Sequence, residues 1–96
     1  MIIKNKPIDI KVDEQRPANY VSLMLFCYEV PSQRALTLST IKRDLEIMKI
    51  LEENVESESF ELDDKYKNSL KETISSTPFN IRKKSLAEFG EYIELL

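Results

Sequence analysis

One glycine, Gly90, in a chain of 96 residues narrows the range of folds more than any other feature of this sequence. Tight two-residue hairpin turns need backbone with positive φ, which glycine adopts at the least cost. A single glycine does not provide the series of such turns that an all-β fold requires, so helices must carry the architecture. The length fits one domain with one hydrophobic core. A 42% apolar share is enough to fill that core, and 32% charged residues keep its exterior wet. The expected fold is α+β and mainly helical, with about four helices and a small two- or three-stranded sheet, formed by residues 1–96 as a single domain.

Along the chain, Ile8, Ile10 and Val12 alternate with Asp9 and Lys11, the period-two pattern of a half-buried strand. Ile2 and Ile3 form a second, shorter strand folded back through Asn5-Lys6-Pro7. Pro17 suits the first turn of a helix. From Tyr20 to Val30 the apolar residues fall all round a helix, bounded by Pro17 and Pro31. Such a helix is either central to the core or shares a face with a partner, and a buried strand is the alternative. Leu36-Thr37-Leu38 reads as an extended piece, with Ser39 or Thr40 capping the helix that follows. Ile41, Leu45, Met48, Leu51 and Val55 trace the apolar stripe of that helix, widened by Ile47 and Ile50.

Phe60-Glu61-Leu62 is a second extended piece, expected to pair with Leu36–Leu38 and to be joined by Ile8–Val12. Asp63 is a good N-cap for a helix carrying Tyr66, Leu70 and Ile74, which Ser75-Ser76-Thr77-Pro78 terminates. Asn80 starts a last helix with Ile81, Leu86, Phe89, Tyr92, Ile93 and Leu96 on one side.

The chain has no histidine, so it lacks the usual proton shuttle at neutral pH and the commonest metal ligand. One cysteine without histidine rules out an ordinary zinc site. One glycine rules out the phosphate-binding loop and the dinucleotide fingerprint, and Glu61, Asp63 and Asp64 lack the spacing of a calcium loop. The expectation is a non-enzyme that needs no cofactor. Cys27, between Phe26 and Tyr28, reads as a small buried hydrophobe in a reducing compartment. No apolar run exceeds the five residues Leu23–Cys27, far short of the roughly 20 that span a bilayer. The first residues also lack an apolar stretch of signal-peptide length. The expected location is the cytoplasm.

Net charge is −3, but it is unevenly distributed. Glu52, Glu53, Glu56, Glu58, Glu61, Asp63 and Asp64 form a run with no base among them, while the remainder of the chain is mildly basic. Such a run is either a solvated loop and helix end or a surface for a basic partner. Partner-binding residues are therefore expected at Glu52, Glu53, Glu56, Glu58 and Glu61. Met24, Phe26 and Tyr28 join them if the apolar 20–30 helix meets a partner protein or a second copy of the chain. Basic residues cluster at Arg82-Lys83-Lys84, in the first turn of the expected last helix. Positive charge there opposes the helix dipole without an evident structural return.

Leu38-Ser39-Thr40-Ile41-Lys42-Arg43-Asp44-Leu45 resembles the recognition-helix motif of DeoR-type winged-helix repressors. That resemblance implies a DNA-binding regulator in which Thr40, Lys42 and Arg43 face the major groove or phosphates and the acidic stretch to Leu62 stands where a wing lies. Upstream, Pro31-Ser32-Gln33-Arg34 stands where the family has its preceding helix. Over most of its length the chain also resembles the small accessory proteins of tailed bacteriophages. The features that carry this are the Ile-rich N-terminal strand, the Leu-Thr-Leu-Ser and Phe-Glu-Leu-Asp-Asp helix starts, and the closing amphipathic helix. This second resemblance implies a protein that binds a host or phage protein in the host cytoplasm. Non-enzymatic protein binding is thus the leading expectation and DNA binding the alternative.

Overall fold

The computed structural model describes every residue, Met1 to Leu96. Helix α1 (Tyr20–Glu29) begins at Asn19, whose extended backbone and side-chain oxygen, accepting from Ser22 N at 3.0 Å, close the first turn. Pro17 therefore lies ahead of the helix rather than inside it. The Ala18 carbonyl accepts from Ile8 N at 3.1 Å, which ties this approach segment to the N-terminal region. Val30, extended before Pro31, ends the helix. Val21, Leu23, Met24 and Leu25 are fully buried, because α1 packs on both α2 (Leu38–Glu53) and α3 (Lys67–Ser75). The helix that reads as apolar all round is the central one.

Helix α2 is capped by Thr37, whose Oγ1 accepts from Thr40 N at 3.2 Å, two or three residues earlier than a cap at Ser39 or Thr40 would allow. Leu38 is thereby drawn into the helix, and no strand forms at Leu36–Leu38. The apolar stripe of α2 is also rotated from its expected position. Ile47 and Leu51 are fully buried, whereas Ile41 and Leu45 are exposed. Two polar contacts hold that rotation: the Ser69 hydroxyl donates to Asp44 at 3.1 Å and the Tyr66 hydroxyl to Glu46 at 3.1 Å. Asp44 and Glu46 project about 160° apart and flank Leu45, so bonds to both leave the Ile41 and Leu45 side of the first turns facing outward.

The sheet has two antiparallel strands, β1 (Ile2–Lys4) and β2 (Ser59–Glu61), with Ile2 opposite Glu61, Ile3 opposite Phe60 and Lys4 opposite Ser59. Ile3 and Phe60 face the core; Glu61 and Lys4 face outward. Phe60-Glu61 thus pairs with Ile2-Ile3 and with neither of the expected partners. Ile8–Val12 forms no strand, although Ile8 is buried and Ile10 and Val12 pack on the core. Pro7 offers no N–H to extend the ladder, the Lys4 N–H is taken by the Tyr92 hydroxyl at 2.8 Å, and the chain turns at Asp13, which accepts from Gln15 N. Alternation here records burial, with backbone pairing confined to the isolated Pro7–Asn19 bridge.

Asp63 caps a short 3₁₀ turn, Asp64–Tyr66, that leads directly into α3. α3 ends at Ser75, ahead of Pro78, where expected. Helix α4 (Lys84–Glu94) starts four residues later than Asn80 predicts. Phe79 packs beside Phe26 with ring centroids 6.2 Å apart, so the chain must first cross the end of α1. Asp9 then fixes the start of α4 by accepting from the Ser85 hydroxyl and pairing with Lys83 at 3.5 Å. Lys83 of the basic cluster thus has a structural return.

Candidate functional site

The acidic segment is not a slack loop. It comprises the last turn of α2, a turn over residues 54–58, strand β2 and the cap of the 3₁₀ turn. Three asparagines hold the turn from beneath. Asn5 donates to the carbonyls of Val55 at 3.2 Å and Ser57 at 2.8 Å, and its own oxygen accepts from Val21 N at 2.9 Å. Asn19 donates to the same Val55 carbonyl at 2.7 Å. Asn54 donates to Ile50 O and accepts from the Ser57 hydroxyl. Each asparagine uses both ends of its amide, a capacity that alanine or leucine lacks.

Upon this backbone Glu52, Glu53, Glu56, Glu58 and Glu61 are all exposed. Two acids of the run are neutralised. Asp64 lies 2.7 Å from the Met1 ammonium, whose hydrogen bond and charge hold its carboxyl below the usual range, and Glu52 stands 3.9 Å from Arg16. Arg16 chiefly serves Glu29, which it clasps with both guanidinium nitrogens. Glu53, Glu56, Glu58 and Glu61 have no basic partner within 4.0 Å. Asp63 has none either, so five of the seven carboxylates are without an ion pair, four of them along the pinned stretch Glu53–Glu61. Ser59 and Glu61 also border the free edge of a three-residue strand, a short and charged edge that discourages pairing with other chains.

The three apolar residues expected to meet a partner are placed differently. Met24 is 0% exposed and offers no surface. Phe26 is half-buried against Phe79, and Tyr28 is half-buried with its hydroxyl 3.2 Å from the Ser69 hydroxyl. Burial, partly offset by that bond, pushes the Tyr28 hydroxyl up to about 12. The apolar surface of α1 is thus largely consumed inside the domain. Cys27 is buried as expected, and loss of hydration pushes its thiol up to about 11, so the nucleophilic thiolate is absent at neutral pH.

Thr40, Lys42 and Arg43 do not share a face. At about 100° per residue Thr40 and Lys42 project roughly 160° apart. Thr40 is half-buried with its hydroxyl 2.9 Å from that of Thr37, Lys42 is exposed, and Arg43 lies 3.5 Å from Asp44. Beyond α2, the stretch to Leu62 forms the turn and β2, which pairs with the N-terminal strand.

Sequence reasoning missed two features. One is the row Leu38, Ile41 and Leu45 on α2, which are 86%, 39% and 58% exposed. The other is an open groove of about 430 Å³ between α3 and α4, walled by Ile74, Phe79, Leu86, Phe89 and Ile93 with Gly90 among its lining. Glycine inside a helix costs roughly 0.5–1 kcal/mol relative to alanine. Here φ is not positive and nothing lies within 4 Å of the point a Cβ would occupy. That glycine, standing between Phe89 and the Tyr92-Ile93 pair of an otherwise good helical stripe, was the signal available in the sequence. No group of three or more acids and cysteines is placed to hold a metal ion, and no helix is long and apolar enough to cross a membrane. Comparison with protein-family models, with curated proteins and with solved structures found no match.

Proposed function

We propose that this chain is a non-enzymatic protein-binding domain whose acidic surface receives a basic partner. One observation carries the reading: Glu53, Glu56, Glu58 and Glu61 are exposed and unpaired on a backbone that Asn5, Asn19 and Asn54 hold in place. Charges presented on a fixed backbone lose little conformational freedom on binding, and a patch of one sign steers an oppositely charged partner and speeds its approach. The resemblance to small tailed-phage accessory proteins makes the partner a host or phage protein and the setting the host cytoplasm.

The test uses Glu56→Gln, Glu58→Gln and Glu61→Gln together. All three positions are exposed, so the fold is retained, and relief of mutual repulsion leaves it unchanged or slightly firmer. Proteins captured from cell extract by the parent are identified, and association rates are measured for parent and triple variant at low and high salt. The proposal expects a slower on-rate for the variant at low salt and a weaker dependence on salt. Equal on-rates at low salt refute it. Retention of a nucleic-acid fragment by the parent, lost on changing Lys42 and Arg43 to alanine, would replace it with the DNA-binding alternative.

A further inference from the structure

Strand β2 has one edge paired and one edge open. Two bonds flanking the ladder fix where its main-chain groups point: Asn5 N donates to Glu58 O and Leu62 N donates to Met1 O, both at 2.9 Å. Hydrogen-bonded pairs in an antiparallel ladder recur at every second residue, so Glu58, Phe60 and Leu62 turn their main-chain groups toward β1. Ser59 and Glu61 turn theirs the other way. Their N–H and C=O groups meet no hydrogen-bond partner in the chain, and both residues are exposed. The outer edge of β1 differs, because the Tyr92 hydroxyl takes the N–H of Lys4. Among the elements of the fold, only β1 packs along β2.

The side chains of this edge follow the same alternation. Ser59 and Glu61 project from the outer face of the sheet, whereas Phe60, between them, projects to the core face and is only half-buried. Glu61 has no ion pair, nor have Glu58 and Asp63 on either side of the strand. An edge so short and so acidic turns away most strands, including the same edge of another copy. A basic strand is the exception, since a lysine or arginine set across from Glu61 converts repulsion into attraction.

We propose that the open edge of β2 takes an extended basic segment of a partner protein as a third strand. Two partner residues, spaced two apart, exchange main-chain bonds with Ser59 and Glu61, and their side chains stand on the outer face beside the Glu61 carboxylate. The residue between them stands on the core face beside Phe60, whose half-buried ring favours an apolar neighbour. The segment therefore reads base, apolar, base, with main-chain bonds giving affinity and alternate side chains giving specificity. The Asn5 bonds to Val55 and Ser57 and the pairing with Ile3 hold β2 before the partner arrives, so little ordering is left to binding. The inference rests on the protein-binding reading and deepens it by stating the form in which the basic partner engages.

The probe is a seven-residue peptide alternating lysine and valine, lysine at both ends, acetylated and amidated. Two N-methylated forms keep its charge and side chains. Methyl groups on the lysine nitrogens remove the donors that face β2, whereas methyl groups on the valine nitrogens point away from it. Affinity for the full chain is measured by titration calorimetry at low and high salt, and hydrogen exchange at the Ser59 and Glu61 amides by NMR with and without the unmethylated peptide. The unmethylated and valine-methylated peptides are expected to bind alike and to weaken with salt. The lysine-methylated peptide is expected to bind at least about tenfold more weakly, and both amides to exchange at least about tenfold more slowly in the complex. Equal affinities of the two methylated peptides overturn the inference, as does unchanged exchange at Ser59 and Glu61 on saturation. If the Glu56→Gln, Glu58→Gln, Glu61→Gln protein still binds the peptide more weakly in either case, the basic-partner reading survives and the third strand does not. An unmethylated peptide that fails to bind at millimolar concentration and low salt also overturns the inference, and the association rates with captured partners then judge the protein-binding reading by themselves.

Discussion

Replacing Asn5 tests whether the turn under the acidic surface is held by side-chain hydrogen bonds or merely lies beside them. Asn5 makes three such bonds: two donated to the Val55 and Ser57 carbonyls and one accepted from Val21 N, an amide in the first turn of α1 that has no partner within its helix. At about 1 kcal/mol net for each bond, Asn5→Ala should cost about 3 kcal/mol. For a domain of this size each kcal/mol lowers the melting temperature by about 4–8 °C, so the transition should fall by roughly 12–24 °C. Asn5→Asp separates hydrogen bonding from packing. It retains the acceptor for Val21 N but sets carboxylate oxygens against two carbonyl oxygens, so it should be less stable than the alanine variant. Urea unfolding with an unchanged slope reads both differences. A loss below about 1 kcal/mol for Asn5→Ala, or an aspartate variant more stable than the alanine one, would refute the reasoning.

The Ser22 hydroxyl is buried without a hydrogen-bond partner, so Ser22→Ala should raise stability by about 1 kcal/mol in the same urea assay. The Ser85 hydroxyl bond, ahead of the Lys83 charge, holds the Asp9 carboxyl below its ordinary value of 3.8. A carboxyl lowered by folding stabilises the fold above its unfolded value, and that contribution is lost as pH falls through the folded one. Thermal midpoints should therefore drop below about pH 3.8, and less steeply in Asp9→Asn, because the Asp64 carboxyl contributes in the same direction in both proteins. Burial raises the Cys27 thiol to about 11, so a thiol reagent at pH 8 should label the folded chain far more slowly than the urea-unfolded chain. Equal rates would place Cys27 outside the core.

The mainly helical α+β fold was legible because its strongest signals are local. The Pro-bounded apolar run gave α1, Asp63 marked the turn into α3, and the stripe through Phe89 and Ile93 gave the body of α4. What stayed hidden depends on contacts between distant residues. Period two at Ile8–Val12 reports which side chains are buried, but a strand also needs a free edge, and the Tyr92 hydroxyl has taken the N–H of Lys4 on β1. The rotation of α2 follows from Ser69 and Tyr66, which bond residues 25 and 20 positions earlier. The acidic run was visible as charge. Its fixed backbone was not, because Asn5 acts on it across 50 and 52 positions.

Those long separations also set an order of folding. Pairing β1 with β2 closes a loop that contains both α1 and α2, and loop closure costs chain entropy before any contact repays it. Local helices and the α1–α2 pair can form earlier; contacts so distant in sequence are acquired late. The turn carrying Glu56 and Glu58 gains the Asn5 bonds to Val55 and Ser57 only when the N-terminal strand arrives. A chain still on its way to the native state thus has the acidic residues but not their fixed arrangement. The full set of bonds beneath this surface is therefore a mark of completed folding.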